Sequence, residues 1–168
     1  MKKIFLMITC FGVIVLKAQN PEISKQDKEF AEFALNANVA ELKFSELATT
    51  KGFSPEVKEL AQHMLADHKK ADDLLKKITT GKSIPSTNQL NEEQQKDYDK
   101  MKDMEGEAFD KAYTECMVKD HKKAIDNYEK ETKKGENTEL RAFAINTLPS
   151  LNHHKNLADE TCKKIKKK

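Results

Sequence analysis

Apolar residues recur along this chain at alternating spacings of three and four, which predicts four long amphipathic helices. Polar capping residues mark where these helices begin, and glycines mark where three of them end. The expected first residues or caps of the four helices are, in order, Ser24, Ser54 with Pro55, Glu107, and Asn137 or Thr138. A short polar helix is expected within residues 92–104, after a loop rich in Gly, Pro, Ser and Asn.

The links between the helices indicate how they pack. Short turns join the first helix to the second and the third to the fourth, so each of these pairs is expected to be antiparallel. The pattern therefore predicts an all-α fold, an antiparallel four-helix bundle with a short extra helix before the third long helix. The longer middle loop leaves the connection between the two pairs open.

Composition supports one helical domain. The 168 residues include only five Gly, four Pro and no Trp, and 35% of them are charged. A chain of this length usually forms a single domain, which we assign to residues 19–168.

The first 18 residues have a different character. Lys2 and Lys3 precede an apolar run over residues 4–16, and Ala18 follows shortly after it. This order predicts a secretory signal peptide over residues 1–18, because the run is shorter than the roughly 20 residues of a membrane span. The mature protein is then expected to be exported. We expect it to be a soluble protein of the periplasm, with peripheral attachment to the outer membrane or secretion as the alternatives.

Removal of that segment takes three lysines with it and leaves a chain close to neutral. The balance gives no argument for nucleic-acid binding, and no transmembrane segment is expected in the mature chain. Lysines are concentrated at residues 163–168. We interpret them as a solvated helix end, with weak contact to a membrane surface as the alternative.

One ten-residue motif occurs twice. MLADHKKADD begins at Met64 and MVKDHKKAID at Met117, with a weaker echo, LNHHKNLAD, from Leu151. The echoes place His68, His121 and His154 on the inner stripes of three helices. Counted from the two short turns, His68 and His121 are both expected roughly 23 Å from the same end of the bundle.

Glu41 takes the equivalent inner position on the first helix, about 6 Å nearer the turn. We therefore expect the three histidines and Glu41 to form one central polar layer. His63 and His153 lie beside the inner stripes; they could extend such a site, but the pattern favours surface positions.

Residues around the histidines suggest metal ligands. Met64 and Met117 each lie four positions before a histidine, a spacing that stacks the two side chains on one helix face. Imidazole with thioether suits copper, and imidazole with carboxylate suits zinc or iron, although methionine at helical spacing is usually core filler. Asp67 and Asp120 are candidates to orient a histidine by a hydrogen bond, or else to pair with lysines.

A structural role is the competing hypothesis. The polar layer would then be a hydrogen-bonded network that fixes helix register, with Glu41, Asp110 and Tyr113 as partners of the histidines. Cys116 and Cys162 are expected either to form a disulfide or to be buried thiols. No HExxH, CxxC or glycine-rich phosphate loop is present, so enzymatic activity stays open, with a non-catalytic role favoured.

The chain resembles an exported bacterial family, domain of unknown function 4142, whose members are often labelled outer-membrane proteins. The matching segments are residues 30–48, MLADH from Met64, FDKAY from Phe109, MVKDH from Met117 and LPSLNHH from Leu148. The resemblance implies a ferritin-like four-helix bundle and no established activity. Acidic residues are absent three positions before every histidine, which argues against a di-iron centre. The Met-x-x-Asp-His motifs are similar to those of another ferritin-like exported family associated with copper.

Two functions follow from the sequence. The first is an exported bundle that binds copper or zinc through the central layer. The second is a structural or envelope-stress interaction module whose histidines form a hydrogen-bonded network. The convergence of the three histidines puts metal binding slightly ahead.

Overall fold

The computed structural model describes residues 23–167, so the predicted signal peptide lies outside the described residues, as does Lys168. Five helices make up the fold: α1 Lys25–Lys51, α2 Pro55–Thr79, α3 Glu92–Lys102, α4 Gly106–Lys134 and α5 Thr138–Ile165. The all-α prediction is confirmed, including the short extra helix before the third long one, and residues 23–167 contain no strand. Within this range no helix is both long and apolar enough to cross a membrane.

Side-chain caps fix the helix starts where the sequence indicated them. Ser24 Oγ accepts a hydrogen bond from Asp27 N at 3.2 Å, and Ser54 Oγ accepts one from Val57 N at 3.4 Å. Each cap satisfies an amide that has no partner within the first turn of its helix. Asn91 and Asn137 cap α3 and α5 in the same way.

Two aspartates fix how the helical hairpins pack together. Asp27, at the start of α1, accepts hydrogen bonds from the backbone N–H groups of Glu136 and Asn137 in the α4–α5 turn. Asp110, near the start of α4, accepts from Phe53 N and Ser54 N in the α1–α2 turn, both at 2.8 Å. Each turn is therefore held by an aspartate of the other hairpin.

These contacts correct one premise of the sequence analysis, since they place the two short turns at opposite ends of the bundle. The start of α4 lies beside the end of α1, so these two helices are antiparallel, and α2 runs parallel to α4. Residues 80–105, which include α3, return the chain along the length of the bundle. One long crossover of this kind is typical of ferritin-like topology.

The histidines still share one level, because each lies near the middle of its helix. Two buried apolar clusters lie on either side of them. One, near the α1–α2 turn, contains Phe44, Met64, Phe109, Tyr113 and Met117 among others. The other, near the α4–α5 turn, contains Phe30, Leu35, Tyr128, Leu140 and Phe143 among others. The polar layer thus divides the hydrophobic core in two.

We predict that Asp110→Ala destabilises the fold by about 2–4 kcal/mol, since one buried and one partly buried N–H group lose their carboxyl acceptor. Chemical denaturation monitored by circular dichroism would measure the loss. Asp126→Ala, at an exposed position of the same helix, is the control and should change stability by less than about 0.5 kcal/mol. Equal losses in the two variants would contradict the role given to Asp110.

Candidate metal centre

Three imidazole rings from three helices form a compact triangle in the bundle centre. The ring centroids of His68, His121 and His154 lie 5.5, 5.3 and 5.4 Å apart. The side chains are buried, with 7%, 1% and 2% of their residue surface exposed. One potential ligand atom from each histidine lies within 4.8 Å of the other two, which is a spacing that one metal ion could bridge.

The hydrogen bond of His121 determines which of its nitrogens carries the proton. Its Nδ1 lies 2.9 Å from the backbone carbonyl O of Met117. A carbonyl oxygen only accepts, so Nδ1 must donate. In the neutral ring the proton is therefore on Nδ1, and Nε2 has a free lone pair.

The same reasoning applies to His68 through Asn38. The amide Nδ2 of Asn38 donates to the His68 carbonyl O at 3.0 Å, which fixes the orientation of the amide group. Asn38 Oδ1 consequently faces His68 Nδ1 at 2.8 Å and accepts its proton. His68 Nε2 is then also a lone pair, and it lies 3.4 Å from Nε2 of His121.

His154 is held from its other side. Its Nε2 lies 3.2 Å from Asp67 Oδ2, and the pKa of Asp67 is lowered, chiefly by a hydrogen bond from Lys70. An ionised carboxylate only accepts, so Nε2 donates and Nδ1 has the lone pair. That Nδ1 is buried and has no hydrogen-bond partner.

The centre therefore presents three lone pairs and no donor to match them. Each histidine uses one nitrogen in a hydrogen bond to a carbonyl, an amide or a carboxylate, as metal-binding histidines commonly do. The remaining nitrogens are three acceptors that belong to buried side chains. A cation is the species that would satisfy all three at once.

Burial also keeps the rings uncharged. Loss of hydration is the main cause that lowers the pKa of all three histidines, and it brings the pKa of His121 to about 4. The neighbouring imidazoles lower the pKa of His68 and His121 further, because a second positive charge is unfavourable beside a first. The neutral imidazole is the form that binds metal ions.

Glu41 lies next to the triangle, beside His121. Its Oε1 is 3.4 Å from Nδ1 of His121, the nitrogen that also contacts the Met117 carbonyl, and its Oε2 is buried without a hydrogen-bond partner. Glu41 as a metal ligand stays a prediction. Burial raises the pKa of this carboxyl well above its usual range, which favours its protonated form.

The two methionines one turn before the histidines lie in the apolar cluster near the α1–α2 turn. Met64 and Met117 are fully buried. Met117 contacts His121 through its backbone carbonyl, as described above. Both thioethers thus border the polar layer on one side and contribute apolar packing there.

The family model described as Domain of unknown function (DUF4142) matches residues 16–161. This chain belongs to the DUF4142 family. A search among curated proteins found no sequence that matches it.

Solved structures show the same architecture as this DUF4142 chain. A DUF305 fragment from Deinococcus radiodurans matches with a TM-score of 0.75 and 10% identity, over 86% of this chain and 99% of that one. CopM in the Cu(I)-bound form matches with a TM-score of 0.66 and 17% identity, over 80% and 93%. A conserved hypothetical protein, rv2844, from Mycobacterium tuberculosis gives 0.61 and 14%, over 80% and 96%. At these identities the likeness concerns the fold alone.

Two predicted partners of the histidines lie elsewhere in this DUF4142 bundle. Asp110 binds the α1–α2 turn, as described above, because two unpaired backbone N–H groups lie within its reach. Tyr113 is fully buried, and its hydroxyl pairs with Ser45 Oγ at 3.3 Å. Both side chains lie two or more helical turns before His121, so they support the fold around the site rather than the imidazoles.

The cysteines and Asp120 form a separate group. Cys116 and Cys162 are free thiols in this structure, so the disulfide alternative is not realised here. The thiol of Cys116 donates to Asp120 Oδ2 at 3.3 Å, and burial raises its pKa. Asp120 is thus occupied on its own helix, four residues from Cys116, and among the described hydrogen bonds it makes none to a histidine.

Asn38 was not identified from the sequence, and the histidine that Asp67 contacts was left open. Asn38 lies in the interior of α1, where asparagine is a poor helix former, and this was the available signal that it serves another purpose. Asp67 precedes His68 in the chain but points about 100° away from it, so it meets His154 of α5 instead.

We predict that the His121 ring titrates near pH 4 in the metal-free protein, as measured by NMR of the imidazole signals. The unfolded chain takes up this proton near pH 6.5, so it binds more protons than the folded state between these values. The contribution of His121 to stability is therefore present above pH 6.5 and is lost as the pH falls towards 4. Titration near 6.5 in the folded protein, as in the urea-unfolded control, would contradict a closed site.

Proposed function

We propose that this protein binds one transition-metal ion, Cu(I) in preference to Zn(II), in the centre formed by His68, His121 and His154. The observation that carries the proposal is the convergence of three imidazole lone pairs without a donor among them. Two such lone pairs 3.4 Å apart repel each other, and a bound cation removes that repulsion.

The charge of the site favours the monovalent ion. The three ligands are neutral, and the nearest carboxyl to His121, that of Glu41, is shifted by burial towards its own neutral form. A divalent ion in this closed centre would carry an uncompensated double charge, and the cost of burying an ion rises steeply with its charge. Cu(I) avoids most of that cost, whereas Zn(II) would need a hydroxide or an ionised carboxylate beside it.

Soft ligands nearby point the same way. Met64 and Met117 place two buried thioethers one helical turn from His68 and His121. Imidazole and thioether are the protein ligands that suit reduced copper. CopM, one of the structures with the same fold, is described in the Cu(I)-bound form, which supports copper as the first ion to test.

The structural alternative is less well supported by the hydrogen bonds. A network that fixes register needs donors matched to acceptors. Here one nitrogen of each ring is well matched by Asn38, Met117 or Asp67. The remaining nitrogens of His68 and His121 face each other, and that of His154 has no hydrogen-bond partner. An empty centre of this kind would destabilise the bundle it is meant to specify.

We further propose that the protein does this work outside the cytoplasm. The basic start and apolar run within residues 1–18 support export. A buried centre of three neutral imidazoles suits a protein that sequesters copper there rather than one that turns over a substrate. The lysines of residues 163–168 offer a weak contact to an anionic membrane surface.

We predict one tight Cu(I) site per chain in the wild-type protein of residues 19–168, measured anaerobically by competition with a chromophoric Cu(I) chelator. The His68→Ala/His121→Ala variant removes two of three ligands and should lose more than the roughly 100-fold that removal of an outer partner can cost. Asp73→Ala, at an exposed position of α2, is the control and should bind like wild type. Equal affinity in the double variant would refute the proposed centre.

We predict that Asn38→Ala weakens Cu(I) binding by about 10- to 100-fold without removing a ligand, because His68 loses the acceptor that orients its ring. The same competition experiment measures it. Asn156→Ala, an exposed asparagine of α5, should have no effect. An unchanged affinity in Asn38→Ala would show that the tautomer of His68 is not set by this amide.

A further inference from the structure

The buried centre is connected to the protein surface by the other histidines of the chain. All five histidines form one continuous group. The ring of His63 lies 5.6 Å from that of His154 and 5.8 Å from that of His153, centroid to centroid. His63 and His153 are both exposed, whereas His154 is buried. His154 is therefore the ring at which the surface group and the buried group meet.

Asp67 joins these two groups through one oxygen. Its Oδ2 lies 3.2 Å from Nε2 of His154 and 3.7 Å from Nε2 of His63. One ligand atom from each of the three residues lies within 4.8 Å of the other two. A surface groove of ≈ 350 Å³ between α2 and α5 is lined by His63 and His153 among others, so it reaches the outer edge of this group at His63.

We propose that His63, Asp67 and His154 form a second metal site, open to solvent, through which the copper ion enters the buried centre. The site combines two imidazoles with a carboxylate, which is a ligand set for a copper or zinc cation. The carboxylate balances the charge of the arriving ion. The destination of the ion, though not the outer site itself, rests on the function proposed above.

His154 can serve only one of the two sites at a time. A neutral imidazole has one lone pair and one proton. When Nε2 bears the proton, Nδ1 is free for the buried centre; when an ion binds Nε2, the proton moves to Nδ1. Transfer inward therefore exchanges the ion and the proton between the two nitrogens of one ring. No change in the oxidation state of copper is involved.

Geometry favours this side of the bundle over the opposite one. A second, smaller pocket of ≈ 80 Å³ reaches His68 and His121 from the side of α1, α3 and α4. It passes Glu41, whose buried carboxyl contacts the protonated Nδ1 of His121 rather than a free lone pair. An ion that entered there would find its first nitrogen ligand only at the centre itself.

The test compares the rate at which the protein loads Cu(I) with its final affinity for Cu(I). Cu(I) supplied as a chelator complex would be mixed by stopped flow with wild type, His63→Ala and the control Asp73→Ala. We expect His63→Ala to load about tenfold more slowly, since the outer site no longer concentrates the ion, while its final affinity matches wild type. Equal loading rates in wild type and His63→Ala would overturn the proposed entrance. Asp97→Ala alters the smaller pocket, and slow loading in this variant together with normal loading in His63→Ala would also overturn it.

A second measurement separates this proposal from the first. The His68→Ala/His121→Ala variant lacks the buried centre but keeps the outer residues. We expect Cu(I) to shift the NMR signals of the His63 and His154 rings in this variant, and not after His63→Ala is added. No shift would overturn the outer site even if wild type binds copper. If these signals shift in the double variant but wild type binds Cu(I) no more tightly than that variant, the buried centre is rejected instead.

Discussion

The structure depends on three buried imidazoles whose inner nitrogens are all acceptors. Asn38, the carbonyl of Met117 and Asp67 each take a proton from one ring, and these three partners come from α1, α4 and α2. No single helix could impose this arrangement, because each ring is held by a group whose own position depends on the packing of the bundle. The apolar clusters lie on either side of the polar layer, and together with it they bury the three rings. The same packing therefore stabilises the bundle and leaves three buried lone pairs that a cation would satisfy.

The paired aspartates explain why the ten-residue motif occurs twice. Asp27 and Asp110 each accept hydrogen bonds from the turn of the other hairpin. This arrangement makes α1 antiparallel to α4 and α2 parallel to α4. Helices that run in the same direction and begin at the same end present equal sequence positions at equal levels. The same motif on α2 and α4 therefore brings His68 and His121 to one level, where their Nε2 atoms lie 3.4 Å apart. The third histidine comes from α5, which runs the other way, and accordingly its motif matches the repeat less closely.

The sequence allowed the helices, the bundle and the three inward histidines to be predicted, because helical periodicity alone decides which side chains face the core. It did not determine the direction of the crossover over residues 80–105, since loop length is compatible with several paths. Glu41 was assigned to the ligands because its helix position is right; the side of the His121 ring that it meets depends on ring orientation, which periodicity does not encode. The histidine that Asp67 contacts was left open for a similar reason. Its nearest histidine along the chain is His68, but the helix turns it towards His154 on another element.

His154 links the buried centre to a group at the protein surface. Its ring is 2% exposed, yet its Nε2 is one hydrogen bond from a carboxylate that is a third exposed. The negative charge of Asp67 draws the proton of the ring to Nε2 and increases the basicity of Nδ1, so the surface residue strengthens the inner ligand without touching it. Any change at Asp67, by protonation, by its partner Lys70 or by an ion, therefore reaches the centre through one ring. Since that ring has a single lone pair, an ion bound by the outer group removes the His154 ligand from the buried centre. The exchange between the two sites depends on one side chain and needs no movement of the backbone.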